Sequence, residues 1–193
     1  LEITGDKTKA QYQEVLRTVT YDNTNDSQPD TSSRTVIWSV YDGAFYSAES
    51  TTTINITASN DAPTGADAGA TLAFTEGDGA TVIDSTLTLA DVDDTNLESA
   101  TVQITGNFQT SEDVLGFTNQ SGISGSYNAS NGTLTLTGSA TKAQYETAFE
   151  SVTYNNTSDT PNTNNRTVTW IVNDGDTNSS GITSTISVAA AND

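Results

Sequence analysis

The residues whose types and spacing could do chemistry are acidic. Asp91-Val92-Asp93-Asp94 follows an apolar, strand-like run ending at Leu89. Alternating carboxylates in a loop turn oxygens the same way, which suits a hard cation with roughly six to eight oxygen ligands, calcium above all. An Asp-rich turn is also an ordinary solvated loop, since Asp is a common turn residue. Three further features favour the cation. Glu76 stands in Thr75-Glu76-Gly77-Asp78, Asn173-Asp174-Gly175 closes a strand-like segment around Trp170, and Asn60-Asp61 precede Ala62-Pro63. Loops after alternate strands of an antiparallel sandwich gather at one end. The Asp91–Asp94 loop and Asp174 are therefore expected to meet Asn60 and Asp61 there, with calcium bridging carboxylates that otherwise repel.

The elements that must position these residues repeat along the chain. Thr8 to Asp26 returns as Thr141 to Asp159, an offset of 133. Arg34 to Gly43 returns as Arg166 to Gly175 and Asn60-Asp61 as Asn192-Asp193, both at 132, so one residue is lost near Asp159. A period this long is a whole domain, not a solenoid turn. Residues 1–61 read as the second half of one repeat and 62–193 as a complete one, an excerpt of a longer tandem array. Pro63 fixes φ and interrupts a strand ladder, so 60–64 reads as a short linker between repeats.

Period-two patterning with β-branched residues predicts strands at 35–40, 52–57, 71–75, 82–89, 100–105, 114–118, 124–128, 133–137, 167–172 and 184–189. Ser130-Asn131-Gly132 reads as a hairpin turn. Thr141 to Glu150 reads as a short helix. Thr141 with Gln144 has capping-box spacing, as does Thr8 with Gln11, and Tyr145, Ala148, Phe149 and Val152 form its apolar stripe. The expected fold is an all-β, antiparallel sandwich with one short helix per repeat, the helix plugging an edge or end.

Composition excludes much. The chain has no Cys, His or Met, and 25 acidic against 6 basic residues give a net charge of −19. Disulfides, thiolate chemistry and the commonest general base and transition-metal ligand are absent. Phosphate binding needs clustered Lys and Arg, so nucleic acid is excluded as a partner. No stretch approaches the ~18–20 apolar residues of a membrane helix. An enzyme is not expected, since its acids would have to pair in a pocket rather than cluster in turns.

Taken together, Asn-Asp-Ala-Pro (60–63), Thr-Glu-Gly (75–77), Asp-x-Asp-Asp (91–94), Ser-Val-Thr-Tyr-Asn-Asn (151–156) and Asn-Asp-Gly (173–175) resemble the cadherin-like repeats of giant bacterial surface proteins, including adhesins with RTX-type C-termini. The resemblance spans 62–193, with 1–61 as a partial copy. It implies a cadherin/Ig-like sandwich and calcium at inter-repeat junctions. It assigns Asp91, Asp93 and Asp174 to the near end of the full repeat with Asn60 and Asp61, and Glu76 to the far end with Asn192 and Asp193. Ala58 and Ser59 depart from the animal pattern upstream of the linker, which points to one or two ions rather than three. The implied function is a structural extender in a secreted or cell-surface protein, acting in adhesion or biofilm, with neighbouring repeats as partners. Two other readings stand beside it: a filament subunit joined to other copies by strand complementation, and a carbohydrate or ice-binding module using Phe45, Tyr46 and Tyr127.

Overall fold

The computed structural model describes residues 1–25 and 27–192. Chain contacts divide it into two units, Leu1–Ala58 and Ser59–Asp193.

The second unit is an all-β sandwich. Its strands are β3 (Thr64–Ala66), β4 (Thr71–Thr75), β5 (Thr81–Val82), β6 (Thr88–Ala90), β7 (Asn96–Gly106), β8 (Asp113–Gly116), β9 (Ser124–Asn128), β10 (Thr133–Thr141), β11 (Thr153–Asn156), β12 (Arg166–Asn173) and β13 (Ile182–Ala189). A six-stranded sheet runs β4-β13-β12-β7-β10-β9, a three-stranded sheet β5-β11-β8, and β3 pairs with β6. The inward residues form one core, including Val102, Ile104, Leu134, Leu136, Val168, Trp170 and Ile186 from the large sheet and Leu115 and Tyr154 from the small one. Phe74 of β4 meets Tyr154 of β11 edge-on, with ring centroids 4.9 Å apart, and so links the two layers.

The helix forms as its sequence dictates. α2 (Lys142–Glu150) starts at Thr141, whose side chain accepts from Gln144 N–H while Gln144 reaches back to the Thr141 backbone. Tyr145, Ala148, Phe149 and Val152 are all buried. The helix joins β10 of the large sheet to β11 of the small one and lies against β6. There Glu146 Oε1 accepts the Leu89 N–H at 2.8 Å, capping an edge of β6 that no strand among the described residues covers.

The strands at 71–75 and 124–128 fall on the expected residues. The β9–β10 hairpin turns through Gly132 at φ +67°, a conformation that favours glycine. Three features differ from expectation. The run 82–89 is not one strand. It breaks between β5 and β6 because Asp84 turns inward, accepting from Ser184 Oγ (2.7 Å), Thr86 Oγ1 (2.8 Å), and the N–H groups of Thr86 (3.1 Å) and Ala70 (3.3 Å). Two short strands, β3 and β11, were not anticipated. Finally, β4 pairs with β13 in parallel, not antiparallel.

The first unit contains α1 (Lys9–Leu16) and the antiparallel pair β1 (Arg34–Trp38) and β2 (Ser50–Ile54). α1 carries the same capping box, at Thr8 and Gln11. None of its helical residues is buried.

Candidate metal centre

Strand β6 ends at Ala90 and delivers the Asp91–Asp94 loop. Asp91 Oδ1 accepts the N–H groups of Asp93 (3.1 Å) and Asp94 (2.8 Å), a local closure that Asp makes readily. Lys142, the first residue of α2, donates from Nζ to the Asp91 carbonyl at 2.9 Å and to the Asp94 carbonyl. The loop is thus held on one side by its own carboxylate and on the other by the helix.

The linker reaches the same place. The Asp61 N–H donates to Asp93 Oδ2 at 3.0 Å, and Asn60 Nδ2 donates to Asp174 Oδ2 at 3.0 Å. Asp174, just beyond β12, accepts at Oδ1 from the N–H groups of Asp176 (2.7 Å) and Thr177 (2.6 Å). One carboxylate oxygen from each of Asp91, Asp93 and Asp94 lies within 4.8 Å of the others. Asp91 Oδ2 is buried and accepts no hydrogen bond. A buried carboxylate oxygen without a donor is costly, and a cation would satisfy it.

The electrostatics divide the group. Burial, then the carboxylates of Asp91, Asp93, Asp174 and Asp176, raise the Asp94 pKa above its ordinary value. Burial also pushes Asp174 upward, but the bonds from Asn60, Thr177 and Asp176 outweigh it and leave that carboxyl below the usual range. The centre therefore mixes anions secured by N–H donors with one under like-charge stress. The donors are all oxygen, so the set fits calcium and offers nothing to a soft metal.

The structure brings Asn60, Asp61, Asp91, Asp93, Asp94 and Asp174 together. Glu76 is not among them. Because β4 runs parallel to β13, Glu76 lies beyond the C-terminal end of β13, whereas Asp174 lies before its start. At that opposite end the Glu76 N–H donates to Ala189 O at 2.9 Å, and Glu76 Oε2 accepts the Ala191 N–H at 3.0 Å. Asn192 is exposed nearby in sequence, and Asp193 lies outside the described residues. Sequence reasoning missed Asp176 and Lys142. Asp174-x-Asp176 repeats the spacing of Asp91-x-Asp93 and was a usable signal; Lys142, on a distant helix, left none.

Two acids lie elsewhere and are internal. Asp84 is satisfied as described above. Asp113, at 1% exposure, accepts from Arg166 Nε (2.9 Å), Arg166 NH2 (3.2 Å), Tyr154 OH (2.6 Å), Asn156 Nδ2 (3.0 Å) and the Gln109 N–H (2.8 Å). Its carbonyl takes the Tyr127 hydroxyl at 2.8 Å, and the Tyr127 ring packs against the core. Phe45 and Tyr46 of the first unit are 78% and 72% exposed.

No protein-family model matches the chain, and no solved structure matches it. A segment of 86 residues is 37% identical to halomucin of Haloquadratum walsbyi. The match covers 42% of this chain and 1% of halomucin, so the chain spans only a small fraction of that protein's length.

Proposed function

We propose that this chain is a spacer module of a secreted or cell-surface protein, and that calcium binds where the linker enters the second unit. The observations that carry this reading are the convergence of one carboxylate oxygen each from Asp91, Asp93 and Asp94 within 4.8 Å, and the buried Asp91 Oδ2 that accepts no hydrogen bond. Asn60 and Asp61 of the linker hydrogen-bond into the same group. A cation there would tie the linker to the sandwich and stiffen the passage of the chain into the module. Glu76, holding the outgoing Ala191, would do the corresponding job at the other end. The partial likeness to halomucin, a far longer protein, supports an extracellular surface setting and a part in a long array. Spanning distance, in adhesion or biofilm, is the role that fits a repeated sandwich whose buried acids are consumed by internal bonds.

Extracellular calcium modules bind at about 10⁻⁴–10⁻³ M. Calorimetric titration tests the assignment. The native chain is expected to bind in that range and Asp93→Ala to lose the heat. Silence from the native chain at millimolar calcium would end the metal reading.

A further inference from the structure

We propose that Lys142 is a positioning residue that keeps the Asp91–Asp94 loop in its ligand-ready form before any cation arrives; this rests on the calcium reading above. Lys142 and Glu146 are four residues apart and share one helix face. Glu146 Oε1 accepts the Leu89 N–H of β6, while Lys142 Nζ donates to the carbonyls of Asp91 and Asp94 in the loop that follows. One helix face therefore grips both the strand and its loop. The helix cannot slide, because Thr141 caps it and Tyr145, Ala148 and Phe149 anchor it in the core.

The choice of partners matters. These ammonium bonds go to main-chain carbonyl oxygens, which fixes the backbone at both ends of the loop and leaves the Asp91 Oδ2 oxygen available. Without this grip, mutual repulsion would spread the three carboxylates, and binding would have to reorder four backbone residues. Pre-paying that ordering cost is what Lys142 contributes, against the repulsion that its part-buried ammonium exerts on the incoming ion. The first repeat carries the same residue, Lys9, at the first position of α1.

The test uses the full chain with Lys142→Met and Lys142→Arg, calcium as the only probe, and two readouts. Calcium affinity is measured by calorimetry. Amide exchange of Asp93 and Asp94, whose N–H groups bond to Asp91 Oδ1, is measured in chelator. Lys142→Met is expected to weaken calcium binding by about tenfold and to speed exchange at those two amides while core amides such as Leu136 and Val168 stay protected. Lys142→Arg, which can still bridge two carbonyls, restores both. If the methionine chain does not fold, Lys142→Gln, too short to span both carbonyls, is read the same way. Native affinity together with native protection in the neutral variant overturns the inference and leaves calcium binding standing. No calcium binding by the native chain overturns both.

Discussion

Residues 34–54 and 166–186 make the same local structure in different surroundings. Trp38 Nε1 donates to Thr52 Oγ1 at 2.9 Å, and Trp170 Nε1 to Ser184 Oγ at 3.0 Å. Val40 N–H donates to Ser47 Oγ at 3.1 Å, and Val172 N–H to Ser179 Oγ at 3.0 Å. Asp42 Oδ1 caps the N–H groups of Ala44 and Phe45, as Asp174 Oδ1 caps those of Asp176 and Thr177. Arg34 and Arg166 both donate to carbonyls just upstream. Yet Val40 is 48% exposed where Val172 is 1% exposed, and Arg34 faces Asp30 at the surface where Arg166 is buried on Asp113. Hydrogen bonds spanning up to 14 residues come with the repeat's sequence. Burial comes only with the strands that 1–58 does not contain, β7, β8 and β9 among them.

That contrast predicts unequal costs for equivalent mutations. The largest is at Asp113. Removing it leaves the buried Arg166 guanidinium with carbonyl acceptors and only the looser Glu112 carboxylate at 3.8 Å, and Asp113→Ala should cost about 3–5 kcal/mol, read from urea unfolding. Arg34→Ala removes an exposed pair and should cost no more than ~1 kcal/mol. Equal losses would mean that the buried network is not the difference between the units. Next is Ser184→Ala, which leaves both the Trp170 N–H and an Asp84 oxygen short of a partner. It should cost about 1–3 kcal/mol, with a red-shifted Trp170 emission, whereas Thr52→Ala stays within ~0.5 kcal/mol.

The smallest effect concerns Asp94. Its raised pKa means the folded chain holds that proton more tightly than the unfolded chain does. The associated stability is present below the ordinary value of 3.8 and is lost as pH rises through the folded pKa. Asp94→Asn in chelator should therefore melt slightly higher than the native chain at pH 7 and gain nothing at pH 3. A lower melting point at pH 7 would show that Asp94 is not under like-charge stress.

Much of this architecture was legible in the sequence because it is local or periodic. Alternation located β4 and β9, and the Thr141–Gln144 spacing located α2 with its buried stripe. The expectation that the Asp91–Asp94 loop, Asp174 and the linker meet at one end followed from sandwich topology. Long-range terms were not legible. Arg166 and Asp113 are 53 residues apart with no shared pattern. Thr153–Asn156 has two Asn, poor strand formers, and is a strand because β8 and β5 pair with it on both sides. The parallel direction of the β4–β13 pairing depends on the closure of the whole sheet, although the far-end position of Glu76 was already implied by the resemblance.

A divalent cation that completes the carboxylate group at the linker should stabilise the folded chain. Thermal melting of the native chain in chelator and in 10 mM calcium tests it most directly. With affinity in the expected range, 10 mM calcium adds about 1.4–2.7 kcal/mol, or about 5–10 °C for a unit of this size. That rise, absent in Asp93→Ala, is the result predicted. A melting point unmoved by calcium, or moved equally in the Asp93→Ala chain, would contradict it.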